Sequence, residues 1–221
     1  KAKAANAKTE RERDYIAALE LYFKDLDKGD YPSRVLAYEK AMEQLAARYP
    51  DDAEAAVFYA LALNEGIMVT PADKTYTRHL KAAGIIEKIL AKQPDHPGAL
   101  HYLIHSYDFP GLATRGLPAA DHYATVAPAA PHAVHMPSHI YTVLGMWEES
   151  IKANQAALAI AKTYVHTIDF MVYAHLQMGQ DREALRLMET SAALQKSGPA
   201  AMRTPTCGVL PVYTAYAAIP A

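Results

Sequence analysis

Apolar residues recur at helical spacing along most of this chain, in segments closed by glycine or proline. Leu100, Leu103 and Ile104 stand at i, i+3 and i+4, and Ile140 and Leu144 repeat the i+4 step. The polar run Lys28-Gly29-Asp30-Tyr31-Pro32 interrupts one such segment. The stretches Leu144 to Ser150 and Gln177 to Ala184 interrupt others in the same manner: a helix end, a glycine stop, then a new amphipathic helix. The pattern predicts an all-α chain of helix–turn–helix units.

These units repeat. Glycines 111, 145 and 179 are 34 residues apart, as are Pro94 and Pro128. On that period the chain reads as helical pairs over 10–50, 53–94, 97–128, 131–162 and 165–196, within one domain covering 1–221. The second pair carries ten extra residues, which we place at Glu65 to Asp73. Residues 197–207, with Gly198, Pro199 and Pro205, read as a loop. Residues 208–221 read as a partial repeat, a last helix with Pro211 in its first turn. Its apolar end, Tyr216-Ala217-Ala218-Ile219, is unlike the polar cap a solenoid needs. Together with an opening Lys1-Ala2-Lys3 in place of Met, this predicts a fragment flanked by segments of a longer chain.

A 34-residue helix–turn–helix period is that of the tetratricopeptide repeat. Trp147 stands two residues after Gly145, Ser150 five after it, Ala184 five after Gly179, and Pro50, Pro94 and Pro128 close repeats. The chain resembles the tetratricopeptide superfamily at these positions. It departs where Lys162 replaces a closing proline and Ala113 an aromatic. The stretches 101–108 and 132–141 look like those of uncharacterised bacterial tetratricopeptide proteins with paired His-x-x-x-His helices. The resemblance implies a right-handed superhelical array of antiparallel helix pairs, an α-solenoid. Its first helices would line a concave groove that takes a peptide or protein segment.

Six of the ten histidines lie between positions 101 and 139. Adding the 34-residue period carries His101 onto His135 and then Asp169. It carries His105 onto His139 and then Tyr173, and Gly98 onto His132 and then His166. Residues four apart share a helix face, with Cβ atoms about 5–6 Å apart, so each His-x-x-x-His pair reaches one metal ion. Neighbouring first helices pack about 8–10 Å apart, which predicts a joint site of His101, His105, His135 and His139. In the superfamily the ladder positions face bound ligand. By that resemblance His132, His166, Asp169 and Tyr173 line the groove with them, and the inter-helix core falls to Leu100, Leu103, Ile104, Val134, Ile140 and Leu144. Pro137, inside a predicted helix, removes an amide donor at a cost of about 3 kcal/mol.

The chemistry of the cluster is bounded by its neighbours. Imidazole ligands suit a divalent transition metal, zinc or copper first, with iron and nickel also open. Tyr102 and Met136 stand where a His-Glu-x-x-His peptidase needs its glutamate. Ser106 and Ser138 lack a nucleophile elbow. Glu65 and Asp108 are carboxylates available as bases. Structural hydrogen bonding is the plain alternative for any one histidine. Two functions follow: a helical-repeat binding module with metal or polar contacts in its groove, or a metal-dependent enzyme centred on the cluster.

Charge and composition narrow the partners. A net charge of −2 and no basic stripe argue against nucleic acid. No apolar run reaches the length of a membrane span and no signal peptide is expected. The one cysteine, Cys207, excludes an internal disulfide and any multi-cysteine zinc site, and fits a compartment on either side of a membrane.

Overall fold

The computed structural model describes Ala4, residues 7–28 and residues 30–197. The expected loop over 197–207 beyond its first residue, the last helix over 208–219, Gly29 and Cys207 lie outside these residues. The chain divides into two compact units, residues 1–106 and 107–221.

The first unit holds α1 (Glu10–Phe23), a single 3-10 turn (Leu26–Lys28), α2 (Tyr31–Arg48), α3 (Ala53–Met68), α4 (Thr77–Leu90) and nearly all of α5 (Pro97–Tyr107). Two of its helices, α1 and α2, start where side chains replace missing backbone partners. Thr9 accepts from the Glu12 amide at 3.2 Å while the Glu12 carboxylate accepts from the Thr9 amide at 3.0 Å. Asp30 accepts from the Ser33 amide at 3.2 Å, with Pro32 in the first turn of α2. Successive helices pack directly, α1 on α2, α2 on α3 and α3 on α4. Short connections between packed neighbours make the pairs antiparallel.

The insertion in the second pair falls later than the sequence places it. Residues Glu65 to Met68 remain helical, and the long connection runs from Val69 to Tyr76. Glu65 is held in α3 by the hydroxyls of Tyr22 and Tyr31, which donate to it at 2.5 and 2.7 Å. Beyond it, a side chain at Gly66 would run into Glu39 and Arg78, which form an ion pair there. The connection is closed by Asp73, which accepts from the amides of Thr75 and Thr77 at 2.8 and 2.9 Å.

The second unit holds α6 (Ala113–Val126), α7 (Pro131–His135), α8 (Pro137–Val143), α9 (Trp147–Ile160), α10 (His166–Gln177) and α11 (Asp181–Ser197). Here α6 packs on α7 and α8, both of these pack on α9, α9 on α10, and α10 on α11. Gly145 and Gly179 have φ of 74° and 69°. Each lets the chain leave its helix by a paired cap, Met146 N–H to Tyr141 and Gln180 N–H to His175, both 2.9 Å. Ile168, Met171, Val172 and Ala184 form a buried cluster between α10 and α11. Of the expected core residues, Leu100, Leu103, Ile104, Val134 and Ile140 are buried, and Leu144 is half-buried.

Pro137 splits the expected single helix over 131–143. Its missing amide ends the hydrogen-bonded ladder of α7 and places it at the start of α8. Met136 between the two keeps a right-handed helical backbone, φ −52° and ψ −36°. The rungs on either side survive as Met136 N–H to His132 at 3.0 Å and His139 N–H to Met136 at 3.2 Å. The four-residue spacing of His135 and His139 therefore still puts both on one face. No helix among the described residues is long and apolar enough to cross a membrane.

Two glycines inside helices have opposite surroundings. A Cβ at Gly116 would lie 2.7 Å from Ile140 Cδ1 and 3.0 Å from Tyr107 Cβ, whereas nothing lies within 4 Å of one at Gly84. Gly116→Ala is expected to lower unfolding free energy by about 1–3 kcal/mol. Gly84→Ala is expected to raise it by about 0.5–1 kcal/mol. Urea unfolding of the two variants checks both signs.

His79 yields a pH expectation. It is buried against Tyr76, ring centroids 5.5 Å apart, and burial holds its pKa below the ordinary 6.5 against a smaller opposing pull from Asp73. The unfolded chain then binds the extra proton, so this contribution to stability is complete above pH 6.5 and is lost as pH falls through the folded value. His79→Phe keeps the ring and removes the titration. Its urea midpoint is expected to fall less on acidification than that of the parent; equal falls would exclude the assignment.

Candidate metal centre

The deepest histidine of the second unit is His135, at the end of α7, with none of its surface exposed. The expectation that it faces a groove, clear of the core, does not hold. Its Nδ1 lies 2.6 Å from Asn154 Oδ1 on α9. The Asn154 amide nitrogen donates to the Ser150 carbonyl at 2.8 Å, so its oxygen is the atom turned to the ring. His135 Nδ1 therefore carries the hydrogen, and Nε2 keeps a lone pair. The Ser138 hydroxyl stands 3.3 Å from the same Nδ1.

His139, one helical turn on in α8, is arranged alike. Its Nδ1 lies 2.8 Å from Asp108 Oδ2, which accepts the ring hydrogen. The two Nε2 atoms face each other at 3.2 Å. Two lone pairs at that distance repel unless a cation, a proton or a metal ion, lies between them. Two nitrogens bound to one tetrahedral zinc stand about 3.3 Å apart, given Zn–N bonds of 2.0–2.1 Å.

The third member comes from α10. One ring nitrogen each from His135, His139 and His166 lie within 4.8 Å of one another, the group of at least three His, Cys, Asp or Glu residues disposed this way among the described residues. His166 Nε2 is buried with no hydrogen-bond partner. Phe170, one turn further along α10, closes the cluster, its ring 4.9, 4.8 and 5.3 Å from those of His135, His139 and His166. Its ring is an apolar wall and offers these imidazoles no donor.

Beside them stands His132, its Nδ1 hydrogen-bonded to the Tyr164 hydroxyl at 2.8 Å. Burial, followed by the positive charge it would share with His139 and His166, pushes its pKa down to about 4. The same two causes in the same order hold His135 far below the ordinary range, opposed in part by the Asn154 hydrogen bond. Both rings are thus neutral at pH 7, the form that ligates metals.

The other expected site residues have different surroundings. His101 and His105 belong to the first unit, on α5, half-buried, with Nε2 atoms 3.0 Å apart. Asp169 sits beside His166, Oδ2 to Nδ1 3.8 Å. Tyr173 is 44% exposed and stacks edgewise on Trp147 at 5.8 Å. Asn154, Tyr164 and Phe170 are neighbours of the cluster that the ladder does not reach. Asn154 carries one readable signal: a polar amide on the inward stripe Ser150, Asn154, Ala157 of α9, all buried.

No family model matches the chain, and no curated protein matches it. Solved structures do. MamA residues 41 to the end, from Desulfovibrio magneticus RS-1, superposes with a TM-score of 0.65 at 15% identity, covering 88% of this chain and all (100%) of that one. MamA of strain MSR-1 gives 0.59 at 17% identity over 82% of this chain and 98% of that one. MamA of strain AMB-1 gives 0.56 at 17% identity over 85% and 96%. These are tetratricopeptide-type helical-repeat proteins. At such identities the likeness is one of fold, and in fold this chain is an all-α array of tetratricopeptide-type helix pairs.

Proposed function

We propose that this chain is a tetratricopeptide-type binding module that holds one divalent transition metal ion at His135, His139 and His166, and that it takes a peptide or protein segment as ligand. The observation that carries the metal reading is the convergence of three ring nitrogens within 4.8 Å, two of the rings having their Nδ1 hydrogens already committed to Asn154 and Asp108. Outer partners of this kind fix the tautomer of a metal-bound histidine and raise its basicity. A set of imidazole nitrogens favours zinc or copper, and accepts nickel or iron. Fold analogy supports the protein-ligand half, and it is an argument about scaffolds and not about a site.

Chelator-treated protein loaded with zinc, freed of excess metal and analysed by mass spectrometry is expected to retain about one equivalent. His139→Ala and His166→Ala are expected to lose it. His175→Ala, whose ring bonds Gln180 on the far side of α10, is expected to keep it. Retention below about a tenth of an equivalent for zinc, copper, nickel and iron alike would sink the metal reading. A peptide array probed with loaded and metal-free protein tests the other half: no binding in either form counts against it.

A further inference from the structure

We infer that Asp169 is a positioning residue of this metal centre: its carboxylate takes the Nδ1 hydrogen of His166 when the ion binds, and so turns Nε2 of that ring to the ion. The inference rests on the metal reading above and deepens it.

The three rings share one plan, completed at two of them. His135 gives its Nδ1 hydrogen to Asn154 at 2.6 Å and His139 gives its own to Asp108 at 2.8 Å. At His166 the acceptor is present and the bond is open: Asp169 Oδ2 lies 3.8 Å from Nδ1, beyond hydrogen-bond range. Two atoms beside this gap are buried without hydrogen-bond partners, Asp169 Oδ1 and His166 Nε2. The Asp169 side chain is only 10% exposed. A buried carboxylate oxygen and a buried imidazole nitrogen, both unsatisfied, are costly to keep side by side.

One small movement addresses both. His166 and Asp169 are one turn apart on α10, so they share a face. A rotation of the imidazole about its Cβ–Cγ bond shortens Nδ1 to Asp169 and swings Nε2 toward His135 and His139. The ion satisfies Nε2, and the Nδ1 hydrogen satisfies the carboxylate. The charges agree: the carboxylates of Asp108 and Asp169, one behind each of two rings, together balance a dication. Asp169 also lies in the first turn of α10, where the helix N-terminus favours a carboxylate.

The test compares zinc affinity, by competition with a chromophoric chelator, in the parent, Asp169→Ala and Asp169→Asn. Asp169→Ala is expected to bind about 10–100-fold more weakly. Asp169→Asn, which keeps an acceptor oxygen, is expected to recover part of the loss. Nitrogen-15 NMR of the His166 ring adds a readout that a merely structural role would not move. In the zinc-loaded parent its hydrogen is expected on Nδ1, and in Asp169→Ala that preference is expected to weaken. Thermal melting of the metal-free variants reports folding, and Asp169→Asn carries the test if the alanine variant does not fold. Unchanged affinity and an unchanged ring tautomer would overturn the role of Asp169 and leave the three-histidine site standing. A parent that binds no zinc, copper, nickel or iron would overturn the site itself, and this role with it.

Discussion

Asn154 takes the Nδ1 hydrogen of His135 at 2.6 Å, and Asp108 takes that of His139 at 2.8 Å. Each bond removes one of two choices open to an imidazole, namely which nitrogen carries the hydrogen. With both choices removed, two lone pairs meet at 3.2 Å. The arrangement is unfavourable by itself and becomes favourable around a cation. The metal reading proposed for this chain follows from that constraint, because it converts a group of histidines into a site with a direction.

The repeat scaffold supplies the constraint cheaply. Small buried residues, Ser150 and Ala157 on α9 and Ala133 on α7, let these helices approach closely enough for a side chain on one to reach a ring on the other. Pro137 breaks the ladder at the level of the two histidines but leaves the helical backbone running through Met136. His135 is thereby placed at the inner end of one short helix and His139 in the first turn of the next. Phe170 packs against the cluster from α10 as an apolar wall, which strengthens any charge interaction beside it.

Burial of His135 also explains why a purely surface description of the site is inadequate. A lone buried imidazole is stable when neutral and hydrogen-bonded, and Asn154 satisfies that requirement with no metal present. His135 is therefore satisfied in the folded chain by protein groups alone. His166 differs. It is the most open of the three, 32% exposed at its side chain, and the one whose outer partner is not yet engaged.

Much of this was legible in one dimension. The 34-residue period, the glycine stops at 145 and 179, the helix-starting Asp30-Tyr31-Pro32 and the shared register of the His-x-x-x-His pairs are local or periodic, and sequence spacing determines them. The long connection lies a few residues beyond where spacing alone predicts it: Glu65 stays in α3, bonded to Tyr22 and Tyr31, which are distant in the chain. The ladder also placed Tyr173 with the histidines, whereas tertiary packing sets it against Trp147. The same packing chose His166 as the third member, Asn154 and Asp108 as the outer partners and Phe170 as the cover. Periodicity assigns a residue to a face of its own helix. Which atom on the next helix that face meets depends on side-chain volumes and crossing distances, and only the folded chain fixes those.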